Sequence, residues 1–178
     1  MSELDLNWLH LDSGEQDFLA CIDDLIFHPY IQSMNQFRHH KSATCLDHSL
    51  HVSYFSYTLC KALGWDYKSA ARGGLLHDLF LYDWRTARLE EGRHGFVHPR
   101  IALDNACSIA TVNEVERDII LKHMFPLTWR PPAYKESMLV CLVDKYCAVR
   151  EMVRPHGRKR RSFIRRFLYH RPGGHSLL

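Results

Sequence analysis

Apolar positions along the chain recur at helical spacing in six stretches, and no convincing strand alternation accompanies them. The first runs from about Gly14 to Phe27, with Phe18, Ile22, Leu25 and Ile26 on one stripe, and should stop near Pro29. The second opens at Asp47, read as its N-cap, and carries His48, His51, Val52, Phe55, Leu59 and Leu63 on one face before Gly64 ends it. The third covers about Tyr67 to Leu81, where Ala70, Ala71, Gly73 and Gly74 allow a neighbouring helix to come close. Asp83 to Val97 is polar and irregular, long enough to act as a loop over a site. A fourth helix is predicted from His98-Pro99, where proline suits a first turn, through Ile101, Ala102 and Ala106. Asn113 should cap a fifth, with Val115, Ile119, Ile120 and His123. After a Pro-rich turn from Met124 to Pro132, a sixth spans Ala133 to Met152, with Val140, Cys141, Asp144 and Ala148 on one stripe. Pro155 and Gly157 then break the chain, a short basic helix is expected to about Tyr169, and Pro172-Gly173-Gly174 should fray.

The pattern predicts an all-α fold, and 178 residues suffice for one buried core. No apolar stretch approaches the roughly 20 residues that span a bilayer. Met1-Ser2-Glu3-Leu4-Asp5 has no basic segment followed by an apolar run, so no signal peptide is expected. The cysteines lack paired zinc-type spacing and read as reduced, mostly buried thiols of a cytoplasmic protein. The net charge of +3 hides an asymmetry. Arg154 to Leu178 holds eight Lys or Arg and no acid, which leaves the body at about −5. That segment interleaves Phe163, Ile164, Phe167, Leu168 and Tyr169 with its charges. It reads either as a helix packed on the acidic body or as one that docks on an acidic partner, RNA or a membrane surface.

Several polar residues change the picture. His48, His77, Asp78, His98, His123 and Asp144 each fall on, or at the end of, an apolar stripe. One buried histidine is usually just hydrogen-bonded in a core. A buried Asp without a cationic neighbour on its own stripe is rarer, and here it coincides with several inward histidines. A divalent cation satisfies imidazoles and carboxylates together. A His/Asp donor set suits Fe, Mn, Co, Ni or Zn better than an all-oxygen magnesium site, and the lack of cysteine argues against structural zinc.

The order His48, then His77-Asp78, then Asp144 resembles the signature of the HD-domain metal-dependent phosphohydrolases. The resemblance extends to Leu46-Asp47-His48-Ser49-Leu50-His51-Val52, Gly74-Leu75-Leu76-His77-Asp78 and Leu142-Val143-Asp144-Lys145. It covers about residues 40 to 150. It implies a single HD-type helical bundle of about six to seven helices over residues 1–153, with a basic segment at 154–178. His98, in His94-Gly95-Phe96-Val97-His98-Pro99, and His123, in Ile119-Ile120-Leu121-Lys122-His123, match the extra ligands of two-metal branches. The layout is similar to that of bacterial HD-type diadenosine tetraphosphate hydrolases. The resemblance implies one metal on His48, His77, Asp78 and Asp144, and a second on His98, His123 and a bridging Asp78.

The implied reaction is in-line hydrolysis of a phosphoester or phosphoanhydride in a small nucleotide or other phosphate compound. His77 and Asp78 form its catalytic centre, and water is activated by divalent ions. Many members place a Lys shortly after the doublet to meet phosphate. Asp78-Leu79-Phe80-Leu81-Tyr82-Asp83-Trp84-Arg85 has none, so Arg85 or Arg88 is the expected replacement. His94, Lys122 and Lys145 are further substrate-binding candidates, with His40, Arg130, Trp84 and Trp129 as weaker ones. The missing Lys keeps open a second reading, a catalytically weak nucleotide sensor or RNA-binding accessory protein. Oxygenase chemistry at a His/Asp di-iron site is a third.

Overall fold

The computed structural model describes residues 12–40, 43–88 and 92–153. The segment 154–178, expected to hold a basic helix, lies outside them. Helix α1 (Ser13–Ile26) starts from a capping box in which Asp12 and Glu15 satisfy each other's backbone N–H groups. It stops before Pro29 as expected, and a five-residue helix, α2 (Pro29–Ser33), then starts with Pro29 as its first residue. A turn of 3-10 helix (Met34–Gln36) leads into β1 (Arg38–His40), which pairs antiparallel with β2 (Ala43–Thr44). The sequence gives no sign of this pair, because three and two residues are too short for an alternation to register.

Helix α3 (Cys45–Leu63) begins three residues before the expected start. Thr44 is its N-cap, and Asp47 is the third helical residue of the capping box rather than the cap itself. Gly64 ends it in the left-handed conformation at φ 66°. Helix α4 (Tyr67–Leu76) is capped by Asp66 and stops five residues short of the expected Leu81. Helix α5 (His94–Ile109) starts four residues before His98 and holds Pro99 inside its second turn. Helix α6 (Glu114–Lys122) has the expected Asn113 cap, in a capping box with Glu116. Helix α7 (Lys135–Val153) closes the described bundle. Among the described residues, seven helices with one small strand pair make this an all-α fold, as the periodicity predicts.

The largest core gathers Phe18, Ile22, Leu25 and Ile26 of α1, Leu46 and Leu50 of α3, and Leu75, Leu76, Leu79 and Phe80 around the end of α4. A second cluster joins Val52 and Cys60 to Ala70, Ile119, Val140 and Cys147. Leu59 and Leu63, assigned by spacing to the inward stripe of α3, face outward instead. Between the clusters α3 and α4 cross closely. A methyl on Gly74 would lie 2.9 Å from the Ser53 Cα, and Ser53 Oγ donates to the Ala71 carbonyl at 2.6 Å. This crossing fixes the spacing between His48 on one helix and His77-Asp78 at the end of the other. Five of the six cysteines are buried, and all are free thiols. Among the described residues no helix is long and apolar enough to cross a membrane.

Candidate metal centre

The six inward polar residues read from the sequence come together. His48 lies in the first turns of α3, His77 is the C-cap of α4, His98 sits in α5, His123 is the C-cap of α6, and Asp144 lies midway along α7. All six are buried. Two helices, α4 and α6, thus aim their C-terminal, partially negative ends at the same place, which favours a cation there.

The imidazoles share one orientation. His77 Nδ1 is 2.9 Å from the Gly74 carbonyl, His123 Nδ1 2.8 Å from that of Ile120, and His98 Nδ1 2.9 Å from that of His94. A carbonyl only accepts, so each of these rings donates from Nδ1 and, in its neutral form, leaves Nε2 as a lone pair. His48 does the same against a carboxylate: its Nδ1 lies 3.2 Å from both oxygens of Glu151. Four Nε2 lone pairs therefore converge on two carboxylates. His48 Nε2 is 3.0 Å from Asp144 Oδ1. His77 Nε2 is 3.6 Å from Asp78 Oδ2 and 3.7 Å from Asp144 Oδ1. His98 and His123 Nε2 are 3.3 and 3.6 Å from Asp78 Oδ1, and 2.8 Å from each other.

This arrangement fits divalent metal. Two donors about 2.1 Å from one ion stand about 3.0–3.4 Å apart at tetrahedral or right angles, close to the separations seen. The buried Nε2 of His77 has no hydrogen-bond partner within the protein, and the facing lone pairs of His98 and His123 repel without a proton or a cation between them. His48, His77 and Asp144 form one set able to hold an ion, and Asp78, His98 and His123 another. The two oxygens of Asp78 divide between them, Oδ2 toward His77 and Oδ1 toward His98 and His123.

The electrostatics agree. Burial pushes the Asp78 carboxyl toward its neutral form, but His77, His39 and His98 outweigh it and hold the group well below the usual carboxylate range. Asp144 is held down likewise by His48 and His77 against burial. His123 is lowered to about 3 by burial and by its neighbours His77 and His98, which keeps its ring neutral and able to ligate. Burial also lowers the neighbouring His94 to about 4, with His98 adding to the effect.

Two residues in the centre were not singled out in the sequence. His39, on β1, stacks on His48 with ring centroids 3.8 Å apart, and its Nε2 is 3.4 Å from Asp78 Oδ2. Glu151 faces both His39 and His48 from the last turn of α7. It lies seven residues after Asp144, two helical turns along the same face, a spacing that could have revealed it. His39 carries no such signal. The side chain of its neighbour His40 lies outside the described residues.

The candidate substrate residues divide. A cavity of ≈ 320 Å³ opens onto Asp78, His98, His123 and Asp144, with Trp84, His94 and Lys145 also in its lining and Met124, Pro126, Leu127 and Ala148 forming an apolar side. His94 is stacked between Trp84 and His98, at 5.5 and 4.4 Å, and its Nδ1 lies 3.0 Å from the Tyr82 hydroxyl. Lys145 Nζ is bound to the His123 carbonyl at 2.8 Å. Arg85 is not part of the lining. Its guanidinium is clamped to Asp83 at 2.9 and 2.7 Å. Lys122 pairs with Asp118 at 2.6 Å, one helical turn back, and is also outside the lining. Trp129 is almost fully exposed. His51, on the same helix as His48, is half-buried and bonds the Asp47 carbonyl of its own helix through Nδ1 at 2.7 Å.

The HD domain family model matches residues 45–149, more than half of the chain. The chain belongs to the HD-domain superfamily of metal-dependent phosphohydrolases. No curated protein and no solved structure matches it.

Proposed function

We propose that the chain binds two divalent ions and hydrolyses a phosphoester or phosphoanhydride bond in a small nucleotide or other phosphate compound. The observation that carries this reading is the common orientation of His48, His77, His98 and His123, whose Nε2 lone pairs all face the carboxylates of Asp78 and Asp144. His48, His77, Asp78 and Asp144 would hold one ion. His98, His123 and Asp78 would hold the other, with Asp78 bridging. The donor set points to Fe, Mn, Co, Ni or Zn. Bound divalent ions supply Lewis-acid charge and lower the pKa of water near neutrality.

The rest of the chemistry belongs to the chain. Met124, Pro126, Leu127 and Ala148 exclude water from one side of the cavity. Lys145 adds positive charge there while tying the end of α6 to α7. Burial and Asp78 raise the Tyr82 phenol to about 12, so it stays protonated, and its hydroxyl lies 3.0 Å from His94 Nδ1 with the phenol as the proposed donor. His94 then carries its hydrogen on Nε2, the reverse of the inward-facing rings, and is suited to donate to a substrate oxygen. A volume of ≈ 320 Å³ is at the small end for ligand pockets and favours a compact substrate. Free thiols suit a reducing compartment, so a cytoplasmic enzyme is part of the proposal. Residues up to 153 would act as one HD unit with 154–178 peripheral to it.

Metal analysis of the purified chain, with turnover of a panel of phosphomonoesters, phosphodiesters and nucleotides, tests the reading. Two equivalents and metal-dependent release of phosphate or nucleotide are expected. The clamp of Asp83 on Arg85 takes up the first cation after the doublet and favours the alternative of a nucleotide sensor. A metal-loaded protein that binds nucleotides and hydrolyses nothing would establish that alternative.

A further inference from the structure

The orientation shared by the four inward histidines extends to a fifth. His39 comes from the β1–β2 pair and not from the helices that carry the family signature. Its side chain is only 14% exposed. Its Nε2 faces Asp78 Oδ2 at 3.4 Å, on the oxygen that also faces His77. Its Nδ1 lies 3.4 Å from Glu151 Oε2, while Glu151 Oε1 takes His48 Nδ1 at 3.2 Å. One carboxylate thus backs two stacked imidazoles, 3.8 Å apart and 19° from parallel, and both rings turn Nε2 toward the aspartates. The donor atoms of His39, His48 and Asp78 all lie within 4.8 Å of one another, close enough to share one ion.

We propose that His39 is a further ligand of the ion assigned to His48, His77, Asp78 and Asp144, and that Glu151 is the positioning residue that turns both His39 and His48 inward. The inference rests on the metal reading above. Five donors rather than four disfavour a tetrahedral zinc site and select an ion that accepts higher coordination, such as Fe, Mn, Co or Ni. A carboxylate that accepts from the far nitrogen of a ligating histidine raises its basicity and fixes its ring, and losing such a partner typically costs about 10–100-fold in metal affinity.

The test uses the full chain, stripped with chelator and titrated with Co²⁺, read by calorimetry and by the visible absorption of the bound ion. The wild type should take up two equivalents. His39→Asn should weaken one of them by about 10-fold or more and shift its absorption toward the more intense bands of lower coordination. Glu151→Gln should weaken the same equivalent by roughly 10-fold while keeping a wild-type spectrum. Circular dichroism of each stripped variant confirms folding, and Glu151→Gln still tests the assignment if His39→Asn does not fold. Wild-type affinity and an unchanged spectrum in His39→Asn would leave His39 as a packing residue and overturn the inference, with the metal reading intact. Failure of the wild type itself to bind Co²⁺ would take down both.

Discussion

Gly74→Ala tests whether the α3–α4 crossing sets the metal centre. The added methyl would lie 2.9 Å from the Ser53 Cα and 3.1 Å from its nitrogen, both backbone atoms, so no rotamer can relieve it. Ordinary contact begins near 3.4 Å, and the helices must part by about half an ångström or more. Such overpacking costs about 1–3 kcal/mol. Parting also strains the 2.6 Å bond from Ser53 Oγ to the Ala71 carbonyl, worth about 1 kcal/mol. Against this, alanine in place of glycine favours the helix by about 1 kcal/mol. The net expectation is a loss of roughly 1–3 kcal/mol, a fall in melting temperature of roughly 2–12 °C for a chain of this size. His77 lies three residues beyond Gly74 and His48 five before Ser53, so Co²⁺ affinity should fall in parallel. Gly73→Ala is the contrasting variant: its methyl would lie 2.6 Å from Ile119 Cδ1 and 3.0 Å from its Cβ, so it too should destabilise, but through the α4–α6 contact and not through the α3–α4 crossing. A Gly74→Ala protein that melts at or above wild type, with unchanged Co²⁺ affinity, would refute the argument.

Further outcomes follow from the same geometry. Asp78→Asn should abolish uptake of both ions, read by elemental analysis, because its two oxygens serve both donor sets. His98→Ala or His123→Ala should remove one equivalent and spare the other; wild-type stoichiometry in both would exclude a second ion on that side. In the chelator-stripped chain, Glu151 is depressed from 4.5 to about 2 because His39 and His48 outweigh burial. Its contribution is present above pH 4.5 and lost as the pH falls through about 2, on the order of 3 kcal/mol. The folded carboxylates Asp78 and Asp144 act in the same direction. His39 is raised from 6.5 to about 9, because Asp78 and Glu151 outweigh burial, so its contribution is present below pH 6.5 and fades as the pH rises through about 9. Urea midpoints of stripped protein across this range should fall at both ends, and Glu151→Gln should flatten both flanks.

The parts of the site carried by periodic elements were legible from the chain. His48, His98, His123 and Asp144 stand where polar residues interrupt apolar helical stripes, and His77-Asp78 is a doublet at a helix end. The family match and the all-α architecture bear out the family and fold class read from the same stretches. What escaped lay where periodicity is silent or local chemistry intervenes. His39 sits on a strand of three residues. Helix α4 ends early because His77 Nδ1 takes the Gly74 carbonyl and the chain then turns through Leu79 and Phe80, whose amides bond Leu76 and Asp78. Apolarity alone extended the helix to Leu81. Arg85 offers positive charge close after the doublet, but Asp83, two residues away, already takes it. Leu59 and Leu63 fit the stripe of α3, yet no helix covers that side of its last turns among the described residues.

The two donor sets are stitched together differently along the chain. Asp78, His98 and His123 lie within a span of 46 residues, and the rings of His98 and His123 are oriented by carbonyls three or four residues away. His48 depends on Glu151 across 103 residues of chain, and its set closes only when α7 is docked. With an ion on each set, as proposed, exchange at the first would be coupled to undocking of α7, while the second could release its ion with α7 in place. Under chelator the protein should empty in two kinetic phases, and whatever loosens α7 should hasten one of them.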